Sequence, residues 1–292
     1  MRKLFTSIIS IALLFTMLVL STGCGVKING KEYEFFSLGE SEKSSTIGAT
    51  GSEASKEFTT SVDRENAEKL VLDNNSGNIK IKKSENSQIK IEADKKVRGA
   101  SQSDKNIVLE NMNIALERDG KDIKIVVETK DRRDFWDWLK EDYKAFQVTI
   151  NYTILIPEGI TSVDVNTGAG NVDVKDLSAE LKIDTGAGNI DIDRFIGIGS
   201  NELSTGAGNI SFDGNVYDIE SFKASTGAGN IAFEVPEDSR MSLKANTGIG
   251  ILTGSFIKKN SSIKLSFDED INGGGPKVEL SSGVGNIDVD NN

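Results

Sequence analysis

The sequence predicts an all-β protein: a single-chain β-solenoid of parallel β-helix type, with coils of roughly 20 residues and a short helical or loop insertion. Three observations carry that prediction. A Thr-Gly-Ala-Gly-Asn-Val/Ile hexapeptide recurs through the second half of the chain. Short runs with apolar residues at every second position flank each copy, the period of a strand buried on one face. Glycine is frequent, at 29 of 292 residues, and proline rare, at 3, so glycine turns and not proline-rich coil separate the runs.

The regular repeats occupy residues 161–292. Thr167-Gly168-Ala169-Gly170-Asn171-Val172 returns as Gly186, Gly188 and Asn189, then as Gly206, Gly208 and Asn209, then as Gly227, Gly229 and Asn230, each inside the same hexapeptide. Thr247-Gly248-Ile249-Gly250-Ile251 is a degenerate copy, and Ser282-Gly283-Val284-Gly285-Asn286-Ile287 is the last. Ser76-Gly77-Asn78-Ile79 is a shortened early relative. First glycine to first glycine, the steps are 18, 20, 21, 21 and 35 residues. Coils of this length stack about 4.8 Å apart and set equivalent residues above one another. The glycines supply backbone angles closed to other residues and let coils approach. The asparagines are expected to pass amide hydrogen bonds along a buried ladder, and the threonines to form a second, hydroxyl ladder. Ile251 should interrupt the asparagine column. The step of 35 implies an inserted hairpin at 256–276 or one coil without the motif.

Residues 59–160 read as irregular N-terminal coils, with strands at 69–72, 79–81, 88–92, 107–109, 114–116, 122–127 and 147–156. An aromatic insertion at 131–146 holds both tryptophans. On a helix capped by Asp134, Phe135, Trp138 and Leu139 share a face and Trp136 and Tyr143 flank it. The segment is either a cover packed over the sheet or a finger for a partner, glycan or membrane surface, which makes Phe135, Trp136, Trp138 and Tyr143 candidate binding residues.

The N-terminus carries a different signal. Met1-Arg2-Lys3 is basic, no charge falls between Leu4 and Cys24, and Leu20-Ser21-Thr22-Gly23 precedes the only cysteine of the chain. This resembles a bacterial lipoprotein signal peptide, residues 1–23, which implies cleavage before Cys24 and acylation of that residue, palmitate included. Ser21 departs from the commonest pattern, which has Leu there. An uncleaved N-terminal membrane helix and a plain secretory signal are the other readings of the apolar run. Cleavage removes Arg2 and Lys3 and takes the formal charge from −11 to −13. Residues 24–58 are expected to be anchor and flexible linker, with Asn29-Gly30 marking a hairpin and 38–58 a Ser/Gly/Glu/Lys-rich tether. The expected location is the extracytoplasmic face of a cell membrane, on a Gram-positive envelope.

Composition excludes several chemistries. With no histidine and one cysteine there is no imidazole base, no Cys-His pair, no intramolecular disulfide and no thiolate cluster. An acidic chain without a basic stripe is a poor nucleic-acid binder. Asp173, Asp191 and Asp288 recur after the turns, but Ser211 and Ala232 break the column, so neither a calcium ladder nor any other metal or cofactor is expected. No acidic pair stands out for a polysaccharide-active enzyme, and no Gly-Lys-Ser/Thr follows the glycines.

The glycine-asparagine repeats resemble the bacterial putative-adhesin family of unknown function, over roughly residues 59–292. The resemblance implies an envelope-associated β domain that binds or scaffolds, with an unknown protein or glycan ligand. An envelope-stress or signalling accessory is the second reading, and a polysaccharide-active β-helix enzyme the third.

Overall fold

A computed structural model describes residues 24–28, 31–35, 53–257 and 265–292. Residues 1–23, where the signal peptide is expected, and most of the expected tether, 38–52, lie outside these. The chain is all-β with two short helices. Strands β1 (Cys24–Ile28) and β2 (Lys31–Phe35) pair antiparallel, with Ile28 opposite Lys31. Then follow β3 (Glu53–Asp63), β4 (Lys69–Ser76), β5 (Ile79–Lys83), β6 (Gln88–Arg98), α1 (Gln102–Glu110), β7 (Asn113–Asp119), β8 (Asp122–Glu128), α2 (Phe135–Asp142) and β9 (Gln147–Ile156). The repeats form β10 (Ser162–Ala169), β11 (Val172–Lys175), β12 (Ser178–Ala187), β13 (Ile190–Ala207), β14 (Ile210–Ala228), β15 (Ile231–Val235), β16 (Met241–Ile249), β17 (Leu252–Thr253), β18 (Ser266–Ile271), β19 (Lys277–Val284) and β20 (Ile287–Asn291).

Each repeat is one strand running into the Gly-Ala-Gly-Asn turn and one running out. The incoming strands make one wall, in the order β1-β2-β7-β8-β4-β10-β12-β13-β14-β19-β16-β18. The outgoing strands make a second, β3-β6-β9-β5-β11-β13-β14-β15-β20-β17. β13 and β14 serve both walls because they run unbroken through the far corner. Alternate residues of both walls point inward, and one apolar core runs between them. Phe195, Phe212, Phe222 and Phe233 form its aromatic centre, with ring centroids 4.7–6.0 Å apart.

The structure corrects the sequence reading at four places. Strand pairing is parallel through the repeats but antiparallel at both ends, so the sheet is mixed. Local turn chemistry explains one end: Asp119-Gly120-Lys121-Asp122, with Gly120 at φ +64°, closes β7 onto β8 as a hairpin. Residues 107–109 are helical, because Ser101 accepts a hydrogen bond from the Asp104 amide and Lys105, Val108 and Leu109 fall on one buried face. The folded part begins before residue 59: β3 starts at Glu53 and buries Ala54 and Phe58 against the core. Residues 24–28 and 31–35, placed in the anchor and linker, pair antiparallel as the hairpin signal there predicts, and β2 also pairs with β7, Phe35 opposite Glu117.

The fourth correction concerns coil order. β19 and β20 do not follow β16 and β17 in space. They lie between β14/β15 and β16/β17, pairing parallel with both. The last repeat in sequence is thus the penultimate coil, and the degenerate repeat at 247–251 ends the stack. β18, within the expected 256–276 insertion, pairs antiparallel with the outer edge of β16.

Candidate functional site: the turn ladder and its flanking rows

The repeat turns stack into one continuous corner. A methyl group on any second glycine would strike the coil below: the added Cβ of Gly170, Gly188, Gly208, Gly229 or Gly285 would lie 1.9–2.0 Å from a carbonyl oxygen, and these residues hold φ between +150° and +157°. The first glycines are nearly as tight. A Cβ on Gly168, Gly186, Gly206, Gly227 or Gly283 would come within 2.5–2.6 Å of a carbonyl oxygen. The motif therefore repeats because the backbones of successive coils touch.

The asparagines form a ladder of a different kind from the one expected. The backbone amide of each donates to Oδ1 of the asparagine one coil below: Asn171 to Asn78, Asn189 to Asn171, Asn209 to Asn189, Asn230 to Asn209 and Asn286 to Asn230, at 2.8–3.0 Å. Asn78 donates likewise to Asn151, which extends the column into β9. The ladder is exposed and not buried, and it links side chain to backbone instead of amide to amide. Ile251 does not interrupt it. Its amide donates to Asn286 Oδ1 at the end of the stack, where no further coil needs an acceptor. Asn189→Ala with Asn209→Ala should accordingly cost only roughly 1 kcal/mol together, because the freed amides face water. Urea denaturation checks this, and a loss of several kcal/mol would mean that the ladder is buried.

The threonines face inward and are nearly fully buried. The hydroxyls of Thr185, Thr205, Thr226, Ser282 and Thr247 each donate to the second-glycine carbonyl of the coil below, at 2.7–3.1 Å. They form hydroxyl-to-carbonyl bonds, not the hydroxyl ladder the sequence suggested. Thr167 is the exception. Its Oγ1 is buried without a partner among the described residues, while Asn74 below it takes the Gly77 carbonyl.

The corner is bordered by two outer faces. On the incoming wall one row reads Asp164, Lys182, Glu202, Lys223, Glu279, Lys244 and Asp268, with signs alternating at every step. Lys69 bonds Asp164 at 3.1 Å and Lys223 bonds Glu202 at 3.0 Å. The bond to Glu202 and the charge of Glu279 raise the Lys223 pKa. Lys277, then Lys244 and Lys223, lower that of Glu279. Because that pKa is depressed, the stabilisation is present above the ordinary glutamate value and fades as pH falls through the lower folded one. The row alternates only in the observed coil order. Stacked in chain order, Lys223 would face Lys244, and threading β19 between them sets Glu279 there instead. Nothing in the hydrophobic period reveals this; the alternating charges at one strand position could have.

The outgoing wall carries acidic neighbours. Asp173 lies beside Asp191, and Asp213, Glu234 and Asp290 are consecutive neighbours. Among the described residues no group of three metal-ligating side chains converges. At the far corner, Arg194 holds Asp176 through two bonds of 2.6 and 2.9 Å, and the guanidinium keeps the Asp176 carboxyl below its usual range. Beside this pair is a cleft of about 620 Å³ whose lining includes Lys83, Pro157, Ile196 and Ile198.

The end of the stack is apolar. In the column after the first glycine, Ala169, Ala187, Ala207 and Ala228 give way to Val284 and then Ile249. Val284, Ile249, Ile251 and Leu265 are 40–69% exposed, and the change of side chain along that column is the sequence signal that marks them.

The aromatic segment is a cover. Asp134 caps α2 by accepting from the Asp137 amide at 2.8 Å. Phe135 and Trp138 are buried, and Trp136 and Tyr143 pack half-buried against the core through ring contacts of 4.9–5.7 Å. Of the cover and finger readings, the burial of Phe135, Trp138 and Leu139 against the sheet fits the cover, and Trp136 and Tyr143 keep part of their surface exposed. Cys24 begins β1, at the end of the molecule opposite the apolar corner.

No protein-family model and no curated protein matches the chain. Among solved structures the chain is similar to a putative cell adhesion protein from Clostridium sporogenes, at 15% identity and TM-score 0.41, over 82% of this chain and 100% of that one. It is similar to a putative adhesin from Bacteroides fragilis at 14% identity and TM-score 0.35, over 81% of this chain and 97% of that one. A third likeness is to a putative adhesin from Parabacteroides merdae, at 12% identity and TM-score 0.31, over 83% and 97% of the two chains.

Proposed function

We propose that this chain is an extracytoplasmic lipoprotein that binds or scaffolds at the bacterial envelope as an adhesin, held by a lipid on Cys24. The repeat stack, read as a solenoid-like rod, is the binding element. The observation that carries this reading is the exposed asparagine ladder. Each Oδ1 accepts from the next coil, which fixes the carboxamide of an exposed side chain. A row of exposed carboxamides about 4.8 Å apart, beside a row of alternating charges, offers a protein or glycan a preorganised polar surface.

The N-terminal sequence supports the anchor. A basic start, an apolar run and the only cysteine lie together in the first 24 residues. Cys24→Ala should move the protein from the membrane fraction to the medium, and unchanged fractionation would overturn the lipid anchor. The purified Cys24→Ala chain should still be retained on intact envelopes, and its failure to bind them would overturn the adhesin reading. A second reading, an accessory that docks on a membrane protein, is favoured by the apolar corner of Ile249, Ile251, Val284 and Leu265.

A further inference from the structure

The slot filled by β19 and β20 has unusual properties. It lies between two coils that precede it in the chain, so β19 and β20 enter between elements made earlier in the sequence. Closing it on itself with the same register would set Lys223 opposite Lys244. It is lined on both sides for one strand pattern. Val278 and Leu280 fill the core row of the incoming wall, Ile287 and Val289 that of the outgoing wall, and all four are buried. Asn286 completes the ladder from Asn230 to Ile251. The link to this element is a glycine hinge. Between β18 and β19 the chain crosses from one edge of β16 to the other through Asn272, Gly273, Gly274, Gly275 and Pro276, with the first three at φ +52°, +91° and +76°. Asn272 Nδ2 pins the start of the crossing to the Glu237 and Ser239 carbonyls at 2.9 Å. The far end of the element is tied by Asn292 to Asp213.

We infer that the slot between β14/β15 and β16/β17 is an interaction site for a second copy of this chain, which fills it with its own β19–β20. Every contact that β19–β20 makes in its own molecule is available in the exchanged one, since the sequences are identical. Only the hinge changes conformation, and glycines make that change cheap. The charge row selects the occupant. A segment entering the slot needs an acid at the position of Glu279, facing Lys223 and Lys244, and an asparagine where Asn286 accepts from Ile251. The other repeats of the chain are not free to enter it: each is already locked between its neighbours in the stack. The product is a dimer joined through two complete repeat stacks, which doubles the binding surface without a new interface.

The test uses the mature chain carrying Cys24→Ser, which leaves no native thiol. Ser225 and Ser281 are register partners on the outer face, at a spacing a disulfide can span. One preparation carries Ser225→Cys and a second, distinguishable by mass, carries Ser281→Cys. Co-refolded from urea at high concentration and then oxidised, they should give the heterodimer cross-linked between positions 225 and 281 several-fold above the statistical mixture. Homodimers at random, or no covalent product, would overturn the exchange. Deleting Gly273 and Gly274 should shorten the hinge until the element cannot reach its own slot, and shift the folded protein to dimer on size-exclusion chromatography. A folded monomer with that deletion would overturn the proposal, and if the deletion variant fails to fold, the cysteine pair decides.

Discussion

Gly208→Ala is expected to destabilise the protein by about 3–5 kcal/mol, one of the largest effects a single methyl group can have. An added Cβ would lie 2.0 Å from the Gly188 carbonyl oxygen and 2.6 Å from its carbon. Relief requires the two coils to separate, and three sets of bonds resist that. The Asn209 amide is held by Asn189 Oδ1 at 2.8 Å, the Thr205 hydroxyl by the Gly188 carbonyl at 2.9 Å, and the strands on either side of the turn by the pairing of Glu202–Ala207 with β12 and of Ile210–Phe212 with the start of β13. The φ of +157° adds a further cost for any residue with a side chain. Ala207→Val, one residue earlier on the same turn, is the control. Its side chain points to solvent, and the chain itself carries valine in that column at Val284, so the change should stay within about 0.5 kcal/mol. Urea midpoints of the two variants against the parent give the comparison. A Gly208→Ala midpoint close to that of Ala207→Val would show that the coils are not in backbone contact.

The repeat is legible in the sequence because its causes are local. A second glycine in every turn, a threonine three residues before it and an apolar residue two after it report the packing of one coil on another, and each reads directly as a residue type. The amphipathic helix at Phe135–Asp142 is legible for the same reason: Asp134, Phe135, Trp138 and Leu139 announce cap and face within six residues. Residues 107–109 mislead because three apolar residues in a row fit either period, and the Ser101 cap that decides between them lies six residues upstream. Whether the aromatic helix covers or projects is not legible at all, since burial of Phe135 depends on β8, which pairs elsewhere. The order of the coils is hidden for a deeper reason. Sequence order is the default stacking of a repeat, and only the sign of one side chain per coil argues against it. Lys223, Lys244 and Glu279 occupy equivalent strand positions, yet their meaning lies in pairs that are 21, 35 and 56 residues apart. The exposed Ile251 is intelligible only once that order is known, because the final coil alone needs no acceptor for a neighbour above it.

Glu279→Lys tests the order of the coils directly. In the wild-type row Glu279 lies between Lys223 and Lys244, with Lys277 bonded to it at 2.8 Å along the strand. The substitution removes two attractions across strands and installs two repulsions, so that a third lysine stands between Lys223 and Lys244. Each cross-strand term is modest on an exposed face, and four of them sum to about 1–3 kcal/mol. The loss should be local. Hydrogen exchange should accelerate in β19–β20 and in the adjoining amides of β16 and β17, while β10 to β13 keep their protection, since the stack below remains closed by its own ladder. Salt separates charge from shape: raising ionic strength screens exposed repulsions within about 10 Å and should restore much of the loss. Glu279→Gln keeps the shape, forfeits only the attractions and should fall between the two. Had the coils stacked in chain order, Glu279 would sit at the free end beyond Lys244, and Glu279→Lys would slow or speed no exchange in β14. Faster exchange at Ser225 and Thr226, which pair with Ser281 and Ser282, is therefore the reading that distinguishes a threaded coil from a terminal one.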